Sequence, residues 1–158
     1  MLRATAFALA MLGVFTAPAH ATGLKATQSV EVATIITDES GEDTLTFVPA
    51  TEVEPGQNLR YSLAYANEGS EAAENVSLVM PVPAEVTYLE ASVSEASAQV
   101  LYSADNGETF DARDALMVGE AEMRRIANAD EITHIKWTFA TPIAPSESGT
   151  ISYMGVLK

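Results

Sequence analysis

The chain has 158 residues, with 22 acidic and eight basic side chains, a formal net charge of −14, and no cysteine. Such an acidic surface repels the phosphates of nucleic acids and of anionic lipids, so neither is an expected partner. The lack of cysteine excludes disulfides, thiolate catalysis and a lipid anchor on a cysteine. The length suits a single domain built around one core.

The amino-terminal residues have the pattern of an export signal. Arg3 provides a positive start, residues 6–15 form an apolar stretch too short to span a bilayer, and Pro18 interrupts it. The Ala-His-Ala at residues 19–21 is a small-x-small cleavage site. We expect residues 1–21 to be removed, which takes away one arginine and no acid. A periplasmic or secreted domain (22–158) of charge −15 remains, with no membrane insertion after cleavage.

Alternation of apolar and polar residues predicts strands through most of the mature chain. The pattern is clearest where Leu59, Tyr61, Leu63 and Tyr65 occupy every second position. The Asn-Glu-Gly at residues 67–69 predicts that the chain turns back there and pairs with the next run. In chain order, the predicted strands are residues 28–37, 44–48, 59–66, 74–82, 85–92, 99–103, 108–111, 131–141 and 150–157.

Residues 113–130 fit neither the strand nor the helix pattern, and residues 121–125 within them are compatible with one or two helical turns. The alternation returns through Ile135, Trp137 and Phe139, which we expect to lie between two sheets. Eight or nine strands without strong helical periodicity predict an all-β fold. Its expected form is an immunoglobulin-like antiparallel two-sheet β-sandwich, with at most one short helix in 113–130.

One stretch of the chain resembles a known family. Residues 54–69 read Glu-Pro-Gly-Gln-x-Leu-x-Tyr-x-Leu-x-Tyr-x-Asn-x-Gly. The pattern continues through Ala72, Val76, Leu78, Pro81, Pro83 and Tyr88. It resembles the bacterial conserved-repeat domain known as domain of unknown function eleven, an immunoglobulin-like sandwich of secreted and surface proteins. Residues 132–137 and 143–153 look like the closing strands of such a domain. The resemblance implies a location and a role in the cell envelope or outside the cell.

A compact hairpin motif follows the sixth predicted strand. Its form, Ser-x-Asp-x-Gly-x-Thr-aromatic, is similar to the Asp-box of sialidases and other propeller proteins. The side chains of Ser103, Asp105 and Thr109 can bond turn amides. Gly107 takes a positive-φ position, and Phe110 is expected to anchor the hairpin inward. We expect a structural hairpin rather than a ligand-contacting loop, because one copy in a chain of this length cannot build a sialidase propeller.

The residue inventory argues against catalysis. His134 is the sole histidine of the mature chain, and alternation puts it on the face opposite Ile135 and Trp137. The sequence has no Gly-x-Ser-x-Gly elbow, no His-Glu-x-x-His and no phosphate-binding glycine loop. We therefore predict that the protein is not an enzyme. The remaining catalytic hypothesis is a hydrolase that uses loop carboxylates. It would be supported only by a hydrolytic activity that is lost when those acids are changed to amides.

Two acidic loops could offer the hard oxygen ligands that calcium prefers. The candidates are Asp38, Glu42 and Asp43 in the first loop and Asp105 and Asp111 in the second. Neither loop has the spacing of an EF-hand. Calcium is accordingly the one cofactor that the sequence leaves open.

The sequence is best interpreted as an exported, non-catalytic cell-envelope or extracellular module with an interaction or structural role. Its partner would be another protein of that compartment, received at a sheet edge that is left unpaired. The alternative is a small calcium- or carbohydrate-binding module. A flat pair among Tyr88, Tyr102 and Tyr153 would suit stacking on a sugar.

Overall fold

The computed structural model of the protein describes residues 23–37, 41–94 and 97–158, so the predicted export signal lies outside the described residues. The fold is all-β, as predicted, and every strand pairing is antiparallel. The strands are β1 (Leu24–Thr37), β2 (Asp43–Pro49), β3 (Asn58–Asn67), β4 (Ser77–Pro81), β5 (Val86–Tyr88), β6 (Ala98–Ser103), β7 (Met117–Val118), β8 (Arg125–Ile126), β9 (His134–Phe139) and β10 (Ser148–Leu157).

The larger sheet has five strands in the order β2-β1-β3-β10-β5. The predicted inward face of β3 is confirmed, because Leu59, Tyr61, Leu63 and Tyr65 are all buried. Tyr153 of β10 lies opposite Tyr61, and the two rings stack with centroids 4.9 Å apart. Burial of each aromatic side chain contributes a few kcal/mol, so this face is a major source of stability.

The smaller sheet has three strands in the order β4-β9-β6. Its central strand β9 turns Ile135, Trp137 and Phe139 into the core, as the alternation predicted. The Phe139 ring meets Tyr65 of the larger sheet edge-on at 5.1 Å, and the Trp137 indole N–H donates to the carbonyl of Ser94 at 2.7 Å. The two sheets therefore enclose one common core, which is the arrangement of a sandwich.

The prediction that the chain turns back after β3 and pairs with the next strand is wrong. Strand β4 pairs with β9 in the smaller sheet, so the chain crosses between sheets after Asn67. The buried Asn67 side chain donates to the carbonyls of Glu71 and Ile143 at 2.8 and 2.9 Å and accepts the N–H of Gly69 at 3.0 Å. These bonds hold a corner between the layers, where the sequence indicated a hairpin.

One further prediction needs correction. Residues 108–111 do not form a strand, and only Asp111 makes a β-bridge, to Tyr102. Residues 113–130, where the sequence left room for one short helix, contain the β7–β8 ribbon and the 3-10 turn Ala121–Met123, and a second 3-10 turn, Ala129–Glu131, follows. Ala121 has a φ of 47°, a left-handed conformation in which an α-helix cannot continue. In the described ranges, we find no helix with the length and apolar character needed to cross a membrane.

Candidate functional site

The predicted hairpin motif forms the expected network of local hydrogen bonds. The buried Ser103 hydroxyl donates to Asp105 Oδ1 at 2.7 Å and accepts the N–H of Gly107 at 2.9 Å. The Thr109 N–H and hydroxyl both donate to the Asp105 carboxylate, at 2.9 and 2.5 Å. Gly107 has a φ of 85°, as the turn requires. The bonds from Ser103 and Thr109 lower the pKa of Asp105 to about 2.

The aromatic residue of this motif does not point between the sheets. Phe110 is half-buried, and its ring lies under the Lys136 ammonium, 4.1 Å from the ring centroid. Lys136 sits on the outward face of β9, between the inward Ile135 and Trp137. The expectation that Phe110 anchors the hairpin in the core is therefore wrong. It packs on the outer surface of the smaller sheet, where a cation–π contact holds it.

His134 packs against the hairpin motif of residues 103–110. Its ring packs on Gly107, and Nδ1 lies 3.2 Å from the Thr133 hydroxyl, which itself donates to the carbonyl of Ser103. Burial lowers the pKa of His134, and the nearby Asp105 carboxylate opposes this shift in part. The ring thus packs the hairpin against the start of β9.

The carboxylates proposed for calcium are engaged in local contacts or lie outside the described residues. Asp105 accepts the bonds given above, Asp111 accepts the N–H of Ala112, and Asp43 accepts the Thr37 hydroxyl at 2.6 Å. Glu42 is exposed, and Asp38 falls outside the described residues. Across residues 23–37, 41–94 and 97–158, no three or more His, Cys, Asp or Glu side chains converge as a metal site.

The tyrosines considered for sugar stacking are buried. Tyr88 and Tyr102 lie beneath the surface with their hydroxyl oxygens 3.3 Å apart, and Tyr153 donates to the carbonyl of Pro81 at 2.6 Å. Their rings form part of the core between the sheets. The idea of a flat exposed tyrosine pair is therefore wrong.

A feature that sequence reasoning missed lies at the end of the larger sheet. Strand β1 pairs with β3 only as far as Val32, and residues 33–37 pair with β2 alone. We call residues 33–37 together with 43–47 the β1–β2 arm. It extends past β3 as a two-stranded ribbon. The sequence contained one signal for the arm, because the adjacent Ile35 and Ile36 of β1 break the alternation.

Apolar side chains of the β1–β2 arm lie on both of its faces and remain exposed. Ile35 and Leu45 face each other across the ladder on the outer face and are 65% and 61% exposed. Ile36, on the opposite face, is 52% exposed. Farther along the outer face, Phe47 lies under the Arg60 guanidinium, 3.8 Å from the ring centroid. Clustered exposed apolar side chains of this kind mark interaction sites.

The β1–β2 arm also carries an open backbone edge. Ala50 N–H donates to the carbonyl of Val30 at 3.0 Å, one step beyond the opposed pair Glu31 and Pro49. Because bonding alternates along an antiparallel ladder, even-numbered residues of β2 bond to β1 and odd-numbered ones point their backbone groups away. Among the described strands, β2 has β1 as its single neighbour. The outward edge thus offers the N–H groups of Asp43, Leu45 and Phe47.

Apart from the β1 side of the β1–β2 arm, where residues 33–37 pair with β2 alone, the remaining sheet edges in the described part of the chain are short or obstructed. The outermost strand at the other side of the larger sheet, β5, has three residues. In the smaller sheet, β4 ends at Pro81, and β6 is bridged by Asp111 through Tyr102. Short strands, prolines and covering loops are the usual devices that prevent edge-to-edge pairing. By comparison, the seven residues of β2 form a long edge, with Pro49 at one end.

Comparison with known proteins adds no assignment, because no family model matches the chain and neither a curated protein nor a solved structure shows significant similarity.

Proposed function

We propose that the protein is an exported, non-catalytic interaction module of the cell envelope or extracellular space, and that the β1–β2 arm is its binding element. One observation carries the proposal: the arm combines exposed Ile35, Ile36 and Leu45 with an unpaired strand edge. Apolar side chains supply binding free energy, and backbone groups of the edge supply directional hydrogen bonds. This combination suits addition of a strand from another polypeptide.

The signal-like amino terminus supports the location. Residues 1–21 have the charge, apolar core and cleavage site of an export signal. The resemblance of residues 54–69 to the conserved-repeat domain agrees with an envelope or extracellular role and with an immunoglobulin-like form of the sandwich. The partner is a protein of the same compartment.

Site-specific photo-crosslinking in cells that produce the protein tests the proposal. A photoreactive amino acid at Ile35 should give a discrete adduct, and Leu45→Lys in the same chain should abolish it, because a charge replaces an apolar contact. The matched control carries the photoreactive group at Met123, which is 83% exposed in the 3-10 turn between β7 and β8, outside the arm. No adduct at Ile35, or equal adducts at both positions, would refute the arm as the binding element.

For the alternative, a calcium- or carbohydrate-binding module, the calcium form is tested separately. Thermal unfolding with calcium and with chelator compares the two states directly. A calcium-dependent rise in Tm that disappears in Asp43→Asn would favour the calcium alternative, since Asp43 is the one acidic residue within the β1–β2 arm.

A further inference from the structure

We infer that the occupant of the β2 edge is a second copy of the same chain, paired antiparallel about a two-fold axis at Thr46. This inference rests on the proposed function and names its partner. In the resulting dimer, the two larger sheets join edge to edge through β2 of each copy. A two-fold interface requires that one surface complement itself, so the sequence of β2 has to satisfy that condition.

The backbone groups of β2 meet this requirement. With Thr46 opposite itself, Leu45 faces Phe47 of the second copy, and Asp43 faces Pro49 of the second copy. All four are odd-numbered residues, whose backbone groups point outward. Each copy then places the N–H groups of Asp43, Leu45 and Phe47 against carbonyls of the other. Pro49, which has no N–H, needs only to accept.

The side chains of β2 are also compatible with self-pairing. On one face, Leu45 packs against Phe47 of the second copy, which extends the apolar pair of Leu45 and Ile35 across the interface. Asp43 is the sole charged residue of the strand, and it lies opposite Pro49. The two copies of Asp43 are then separated by about 20 Å, six residues of extended strand, and repel each other weakly.

Charge distinguishes a second copy from a cationic partner. Each exported chain (22–158) carries a formal net charge of −15, so two copies repel each other over long range. Screening by salt reduces this repulsion, and the dimer should therefore become tighter as NaCl is raised from 50 to 500 mM. Binding of a basic polypeptide would weaken over the same range.

Cysteine cross-linking of the protein, purified after export, tests the register. The natural chain has no cysteine, so a single Thr46→Cys variant reports on one contact. Opposed residues in a non-hydrogen-bonded pair have Cα atoms about 4.5 Å apart, within the range that a disulfide spans. Oxidation with diamide should convert most of the protein to a covalent dimer. Thr44→Cys is the matched control, because its two copies would lie about 13 Å apart.

Analytical ultracentrifugation provides the second measurement. At high micromolar concentration, the molar mass measured for the wild-type protein should be twice that of the monomer. Leu45→Lys and Leu45→Pro should each return it to the monomer, the latter by removing an outward N–H that the monomer does not use. Met123→Lys should leave the dimer intact. Circular dichroism of the variants establishes that each remains folded.

The outcomes separate this inference from the proposed function. A wild-type monomer, a dimer unaffected by both Leu45 variants, or equal cross-linking of Thr44→Cys and Thr46→Cys would overturn the second-copy inference. If the photo-crosslinked adduct at Ile35 then contains a different protein, the interaction role stands and its partner is not a second copy. If no adduct forms either, both proposals fail.

Discussion

At the scale of single residues, the contrast between Asp105 and Asn67 shows what local sequence can predict. Asp105 bonds to residues two and four positions away, so the motif itself predicted its role. Asn67 bonds across 76 residues to the carbonyl of Ile143, and no local pattern could indicate that contact. The Asn-x-Gly pattern at residues 67–69 therefore predicted a hairpin, whereas in the fold these residues form a corner between the two sheets.

The pKa of Asp105 leads to a prediction about pH. Folding lowers this pKa from 3.8 to about 2, so the ionised carboxylate stabilises the fold above the unfolded-state pKa. That contribution declines as pH falls through 3.8 towards 2, where the native carboxylate also becomes protonated. Asp105→Asn should lower the free energy of unfolding by about 1–2 kcal/mol at pH 7, since bonds from Ser103 and Thr109 are weakened.

Urea unfolding between pH 7 and pH 2 measures this effect. The difference between wild type and Asp105→Asn should be constant above about pH 4.5 and should shrink below it. Asp114→Asn, an exposed carboxamide replacement beyond the motif, serves as the control and should change stability little. A difference that is independent of pH would show that the carboxylate charge is not what stabilises the turn.

At the scale of elements, the docking of β5 on β10 depends on a glycine. Gly155 lies opposite Tyr88, and a Cβ added to it would clash with Cγ1 of the buried Val86. Beyond the three residues of β5, the hydroxyl oxygens of Ser92 and Ser94 accept the N–H groups of Met154 and Ser152. Hydrogen bonds to this edge of β10 therefore continue past the end of β5.

Gly155→Ala should lower the free energy of unfolding by about 1–3 kcal/mol, because the added methyl forces β5 away from β10 in a packed region. Chemical denaturation followed by Trp137 fluorescence provides the measurement. The control, Ala64→Val, adds bulk on the exposed outward face of β3 and should change stability by less than about 0.5 kcal/mol. Equal effects of the two substitutions would contradict the close approach of β5.

At the scale of the whole molecule, the acidic excess opposes compactness. With a formal net charge of −14, the exposed carboxylates repel one another in the folded state more than in the extended chain. Isolated surface ion pairs such as Lys25 with Glu68 offset little of this repulsion. The sandwich therefore depends on its buried aromatic core for stability.

Raising NaCl from 20 to 500 mM should increase Tm, by roughly 3 °C for each kcal/mol of repulsion that is screened. Differential scanning calorimetry at low protein concentration measures this change in the monomer. The double variant Glu71→Lys and Glu74→Lys, at two exposed positions, should have a higher Tm at low salt and a smaller response to salt. A Tm that falls with salt would contradict the repulsion argument.

The all-β class, the inward faces of β3 and β9, and the hydrogen-bonded turn after β6 follow from local sequence. Each of these depends on neighbours within a few positions, which period-two alternation and turn residues encode directly. Long-range packing, in contrast, joins β4 to β9 and buries Tyr88 and Tyr102. It also leaves Ile35, Ile36 and Leu45 exposed. Those outcomes depend on which distant strand covers each face and edge, and strand pairing over long separations has no local code.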